Sequence, residues 1–143
     1  MKISDVLRSK GHGVVTIAPD ETVSGLLALL YENRIGACVV STDGKTIEGI
    51  VSERDVVRSL HAEGTAVLLG PVSRIMTSDV TTGRADDEVS SLAATMTNER
   101  VRHVPIVDED GVLTAIVSIG DVVKSRLNEL QSERDQLRDY ITH

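Results

Sequence analysis

The heptapeptide GIVSERD at residues 49–55 returns as AIVSIGD at residues 115–121, 66 positions later. Both copies run from a small residue through two aliphatics to Ser, then two spacers and Asp. Self-similarity at a fixed offset dictates architecture before local propensity does. Sliding the chain by 66 also pairs Val23 with Val89, Leu26 with Leu92, Leu30 with Met96, Arg34 with Arg100 and Ile35 with Val101. The turn sequences TDGK and EDGV coincide after a one-residue length difference. The chain is therefore read as two like halves, about residues 14–60 and 80–125.

Each half presents the same order of elements. A short extended stretch comes first, VVTI at 14–17 or VTT at 80–82. An amphipathic helix follows, because Val23, Leu26, Leu27 and Leu30 recur at helical spacing, as do Val89, Leu92, Ala93 and Met96. Asp20 or Thr22, and Asp86 or Asp87, are the candidate N-caps. Two β-rich runs then flank an Asp-Gly turn, whose tolerance of positive φ favours a hairpin. A second helix opens at Asp55 or Asp121. The unit is β-α-β-β-α, twice, an α/β (α+β) fold. A single unit would leave an apolar face uncovered, so the two must pack together. The expected division is 1–62 for the first repeat with its N-terminal segment, 63–79 for a connector carrying Gly64, Gly70 and Pro71, 80–126 for the second repeat, and 127–143 for a C-terminal helical extension.

Composition narrows the function. The 143 residues carry 15 Lys and Arg against 22 Asp and Glu, a formal net charge of −7. Phosphate-backbone binding needs clustered cations, and stacking on single strands needs aromatics. This chain has no basic run, no Phe and no Trp, so nucleic acid is excluded as a partner. The core must be built from Val, Ile, Leu, Ala and Met. The lone Cys38 allows no internal disulfide. MKISDVLR is not a signal peptide, and LLALL at 26–30 is too short for a membrane span. A cytoplasmic protein without membrane contact is expected.

The Ser-x-x-Asp ending has two physical readings. A Ser closing a strand can donate to a phosphate oxygen, and the helix behind it offers unpaired N–H groups and partial positive charge to the same anion. The Asp carboxylate suits two vicinal ribose hydroxyls. Gly49 or Ala115 at the start would let a flat ligand approach the backbone. The simpler reading is a helix cap, with Asp and Ser satisfying backbone donors. One isolated copy favours the cap; two copies at matching places shift the balance towards a nucleotide.

These motifs, together with KGHGVVTIAPDETV, IGACVV, SERDVVR, RVRHVPIVD and VSIGDVV, resemble the cystathionine-β-synthase (CBS) domain, with its loose signature Gly-hydrophobic-x-Ser/Thr-x-x-Asp/Asn. The resemblance covers about residues 2–125 as a tandem pair, or Bateman module. It implies two repeats about a pseudo-twofold axis, with two clefts that take adenosyl ligands: AMP first, or ATP, ADP, NAD(H) or S-adenosylmethionine. In the cleft that it favours, Asp121 would hold ribose beside Ser118, Gly120 and Ile116. Lys10, Val15, Ile35, Gly36 and Ala37 would enclose the adenine, with Arg102 and His103 reaching phosphates. The other cleft would use Asp55, Ser52, Arg54 and Ile50, facing Met76, Thr81, Val101 and Arg102. There Arg102 stands where the first repeat offers Gly36, and either blocks an adenine or serves a phosphate from the neighbouring cleft. Ala115 replaces the family's Gly, and Val39 stands for a Pro that the second repeat keeps as Pro105.

The resemblance implies a non-enzymatic regulatory or energy-sensing protein that signals through a protein partner. The alternative is a dimeric interaction scaffold with vestigial clefts. Nothing pairs a nucleophile with a base and an orienting group. His12, His61, His103 and His143 lack metal-ligand spacing, and no metal is expected; only His103, beside Arg102, is a functional candidate. Cys38 in an apolar strand reads as a small hydrophobe. Leu127, Leu130, Leu137 and Ile141 form a stripe that Arg134 interrupts. It either packs on its own domain or pairs two copies, and homodimerisation is expected.

Overall fold

The computed structural model describes residues 1–10 and 13–142; His12 and His143 lie outside them. The chain opens with α1 (Ile3–Lys10) and continues through β1 (Thr16–Ile17), α2 (Val23–Asn33), β2 (Ala37–Val40), β3 (Gly49–Ser52) and α3 (Glu53–Glu63). Two short 3-10 turns, Thr65–Leu69 and Val72–Arg74, lead to α4 (Val89–Glu99), β4 (His103–Val107), β5 (Leu113–Ser118) and the 24-residue α5 (Ile119–Thr142). The expected mixed α and β architecture is what forms, with a long C-terminal helix.

In the first half β2 is central, parallel to β1 and antiparallel to β3. All four β2 residues are buried, which is why ACVV shows no alternation. The second half is weaker on one side. β4 pairs with β5, but the expected strand at 80–82 does not form; a single parallel bridge, Gly83 to Ile106, replaces it. Shifted by 66, that bridge is the counterpart of Ile17 to Val40. Pro105 occupies the position of Val39 and has no N–H, so the ladder stops one pair after it begins.

The helix starts agree with expectation at α2 and differ at the others. Thr22 caps α2, its hydroxyl accepting from the Gly25 amide at 3.0 Å. Neither Asp86 nor Asp87 caps α4. The cap position is Glu88, without a side-chain bond, while Asp87 accepts from the Arg84 amide at 2.9 Å. The helices expected to open at Asp55 and Asp121 open two residues earlier, at Glu53 and Ile119.

Two cores fill the halves, and each is closed by a segment that lies far away in sequence. Ile3, fully buried, belongs to the second core with Leu92, Met96, Val104 and Ile106. Val72, equally buried, belongs to the first core with Val23, Leu26 and Val51. The backbone bonds repeat in the same way. Ile3 N–H donates to Asp87, Ser4 to Ala85, and Val89 to Met1, at 2.9–3.0 Å. Val72 donates to Glu21, Ser73 to Pro19, and Val23 to Gly70, at 2.8–3.0 Å. Each half thus lends a short arm to the start of the other half's first helix. Residues 1–4 and 70–73 are equivalent under an offset of 69 rather than 66.

Candidate functional site

Both Ser-x-x-Asp segments fold as helix caps. At α3 the Ser52 amide donates to Asp55 Oδ2 at 2.8 Å, and the Asp55 amide donates to Ser52 Oγ at 3.4 Å, a reciprocal capping box. At α5 the Ser118 amide donates to Asp121 Oδ2 at 2.8 Å, and the Asp121 amide to Ser118 Oγ at 3.2 Å. The cap does not exhaust the carboxylates. Among the described residues every hydrogen bond to Asp55 and Asp121 falls on Oδ2, leaving Oδ1 for another donor. Capping and ligand binding are therefore compatible in one residue.

The two sides differ in what stands before the aspartate. On the Asp55 side a cleft of about 500 Å³ opens. The first half supplies Ala37, Ile50, Ser52, Arg54 and Asp55, and the second half supplies Thr81, Val101, Arg102 and His103. Every residue expected on this side is present except Met76. Its sulfur instead lies against Gly49, where a Cβ would fall 2.6 Å from Sδ and 2.9 Å from the Thr77 carbonyl. Gly49 is therefore small to admit Met76 and Thr77, not a flat ligand. Thr77 pairs with Ile50 through two backbone bonds of 2.8 and 2.9 Å, and takes the place in the cleft wall expected of Met76.

On the Asp121 side Lys10 pairs with the aspartate. Its Nζ lies 2.6 Å from Asp121 Oδ2 and also donates to the Ile116 carbonyl. A separate groove of about 100 Å³ between α1 and α5 also touches Lys10 and Asp121. Burial alone would raise the Asp121 carboxyl, but the Lys10 ammonium and the Ser118 amide outweigh it and hold it below the usual range. The other residues expected around this aspartate divide. Gly36, Ala37, Arg102 and His103 line the Asp55 cleft, and His103 also lies near enough to Lys10 and Asp121 to feel their charges. Val15 and Ile35 pack on the first core. Gly120 is exposed, and a Cβ there would make only ordinary contact with Ser118.

His103 sits where the halves meet. A Cβ on Gly36 would fall 3.7 Å from its Cε1, an ordinary contact, and 2.7 Å from Glu53 Oε1, the mobile end of a side chain that can move aside. Burial, with the nearby Lys10 charge, pushes the His103 pKa down against the pull of Asp121 and Glu53. Sequence reasoning missed Glu53, Arg58, Asp79, Val80 and Arg100, all of which line the cleft. Arg58 was legible in principle, one turn beyond Arg54 on the same helix face. Among the described residues no cluster of His, Cys, Asp and Glu could hold a metal ion, and no helix is long and apolar enough to cross a membrane.

Comparison with known proteins identifies the family. A mitochondrial CBS domain-containing protein of Arabidopsis thaliana is 32% identical over 147 residues, spanning 97% of this chain and 71% of its own. The crystal structure of a CBS-domain protein from Agrobacterium tumefaciens superposes with a TM-score of 0.84 at 40% identity, over 88% of this chain and 99% of the other. A CBS domain protein from Pyrobaculum aerophilum, solved in complex with AMP, has a TM-score of 0.75 at 29% identity, over 85% and 89% of the two chains. The CBS domain model matches residues 3–62 and again 72–128. With the repeat, the paired caps and the exchanged arms, these matches establish that the chain belongs to the CBS domain family and carries two such domains in tandem.

Proposed function

We propose that this protein binds an adenosyl nucleotide in the cleft beside Asp55 and acts as a regulatory module rather than an enzyme. The observation that carries the reading is the cleft itself. One free carboxylate oxygen, a helix N-terminus and an apolar wall of Ala37, Ile50, Val80 and Val101 converge on about 500 Å³, within the usual range for a small-ligand site. Asp55 Oδ1 would accept from the ribose hydroxyls, Val80 and Val101 would flank the adenine, and Ser52 with the start of α3 would face the phosphates. The AMP complex of the Pyrobaculum aerophilum relative supports the ligand class. The ligand would bridge two halves, and its differential affinity for two arrangements of them would supply the signal.

A panel of AMP, ADP, ATP, NAD and S-adenosylmethionine, with GMP as the non-adenosyl control, tests this by thermal shift. An adenosyl ligand at 100 times its dissociation constant should stabilise by about 2.7 kcal/mol. No rise with any of them, in protein freed of carried-over nucleotide, would leave the interaction scaffold as the better reading.

The module is proposed to act as a dimer through α5. Val123, Leu127, Leu130, Leu137 and Ile141 are each between 44% and 80% exposed. They recur at the alternating four- and three-residue spacing of a helix-pairing seam, with Arg134 at the one polar position. A second copy in parallel would set its Arg138 against Glu133, an attractive pair across the seam.

A further inference from the structure

The cleft beside Asp55 gathers cations in an acidic protein. Arg54 and Arg58 stand one turn apart on α3, Arg100 ends α4, and Arg102 precedes β4. All four are exposed. None forms an ion pair with a carboxylate among the described residues, which is also true of Lys2, Arg34, Lys45, Arg84, Lys124 and Arg138; what sets these four apart is that they share one cleft. Three carboxylates share the cleft, Glu53, Asp55 and Asp79, so its formal count is 4 − 3 = +1 in a chain of −7. One of the three, Asp55, already spends an oxygen on the α3 cap.

Four unpaired guanidiniums exceed the needs of one phosphate. A guanidinium engages phosphate oxygens two at a time, so two of them saturate a terminal phosphate. Arg54 and Arg58 come from one half and Arg100 and Arg102 from the other, so together they suit a chain of charges crossing between halves. The positive end of α3 adds to the same field.

Resting on the nucleotide reading above, we propose that this cleft selects its adenosyl ligand by the length of the phosphate chain. It takes the triphosphate in preference to the monophosphate, and disfavours S-adenosylmethionine, whose sulfonium and ammonium would face the arginines. The selectivity resides in Arg58 and Arg102, and leaves the adenosine contacts unchanged.

Isothermal titration of the full chain with AMP, ADP and ATP, in buffer with a chelator so that the triphosphate is metal-free, reads this directly. ATP should bind at least tenfold more tightly than AMP. Arg58→Gln and Arg102→Gln should each weaken ATP by about five- to tenfold and AMP by less than twofold, while Arg84→Gln, which does not line the cleft, changes neither. Unchanged thermal midpoints without ligand would show that the variants fold as the parent does. Equal affinities for AMP and ATP, or arginine variants that weaken both alike, would overturn the inference and leave the nucleotide reading standing. Absence of binding by all three would overturn both.

Discussion

Lys10 and Asp121, 111 positions apart in the chain, meet in an ion pair of 2.6 Å that also seats the lysine on the Ile116 carbonyl. The pair fastens the end of α1 to the start of α5 and leaves Asp121 Oδ1 without a hydrogen bond among the described residues. Among the described residues no cation pairs with Asp55, and the backbone of Thr77 pairs with Ile50 there instead. An internal cation thus makes two nearly equivalent halves unequal.

Lys10→Met should therefore cost about 1 kcal/mol at neutral pH, the upper end for a partly exposed pair. The pH dependence has a definite sign. The folded carboxyl of Asp121 is held below its ordinary value, so its contribution is complete above about pH 4 and is lost as pH falls through the folded pKa. Urea midpoints of parent and variant should differ at pH 7 and converge as the pH falls through the folded pKa of Asp121. A gap that persists or grows in acid would show that the lysine acts through packing rather than charge.

Gly49 and Ala115 hold the same place in the two repeats but should tolerate exchange differently. Gly49→Ala forces a Cβ within 3 Å of both Met76 and the Thr77 backbone, and should cost about 1–3 kcal/mol as overpacking. Ala115→Gly creates no clash and should cost about 0.5–1 kcal/mol through backbone entropy. Chemical denaturation of the two single variants compares them. Equal costs would mean that Met76 moves aside freely.

Much of this arrangement was legible because local chemistry specified it. The offset of 66 located the helices, the paired strands and both Ser-x-x-Asp caps, and the Asp-Gly pairs fall where Gly44 and Gly111 take positive φ. What escaped depends on distant partners. Ile3 and Val72 look like ordinary surface-helix residues until each is seen buried in the other half's core, and a three-residue change of offset hides their equivalence. Pro105 cancels the strand at 80–82 from across the sheet. The preference for the Asp121 cleft rests in the sequence on Arg102 standing where the first repeat offers Gly36; that Lys10 pairs with Asp121 is visible only in the structure.

Cys38 is read alike by sequence and structure. It is 1% exposed in β2, and burial pushes its thiol up to about 12. At pH 8 a thiol-reactive disulfide reagent should modify it only as fast as the protein unfolds, with rapid, complete reaction in denaturant. Fast stoichiometric labelling of the native protein would contradict this burial.

Arg134 interrupts an otherwise apolar seam on α5 and lies 58% exposed beside Asp135. If that seam joins two copies, Arg134→Leu should tighten the dimer by at least tenfold in sedimentation equilibrium, because a charged residue at a pairing position lowers stability. Leu130→Glu should dissociate it. A molecular weight indifferent to both substitutions would remove α5 from the interface.

The account stands or falls on which aspartate serves the ligand. The measurement is the nucleotide-induced rise in thermal midpoint for the parent, Asp55→Ala and Asp121→Ala, each against its own ligand-free value so that the cap loss of about 1 kcal/mol cancels. With ATP at 100 times its dissociation constant, the parent should rise by roughly 8 °C. Asp121→Ala should keep that rise and Asp55→Ala should lose it. A rise that survives in Asp55→Ala and disappears in Asp121→Ala would place the ligand behind Lys10 and contradict the account.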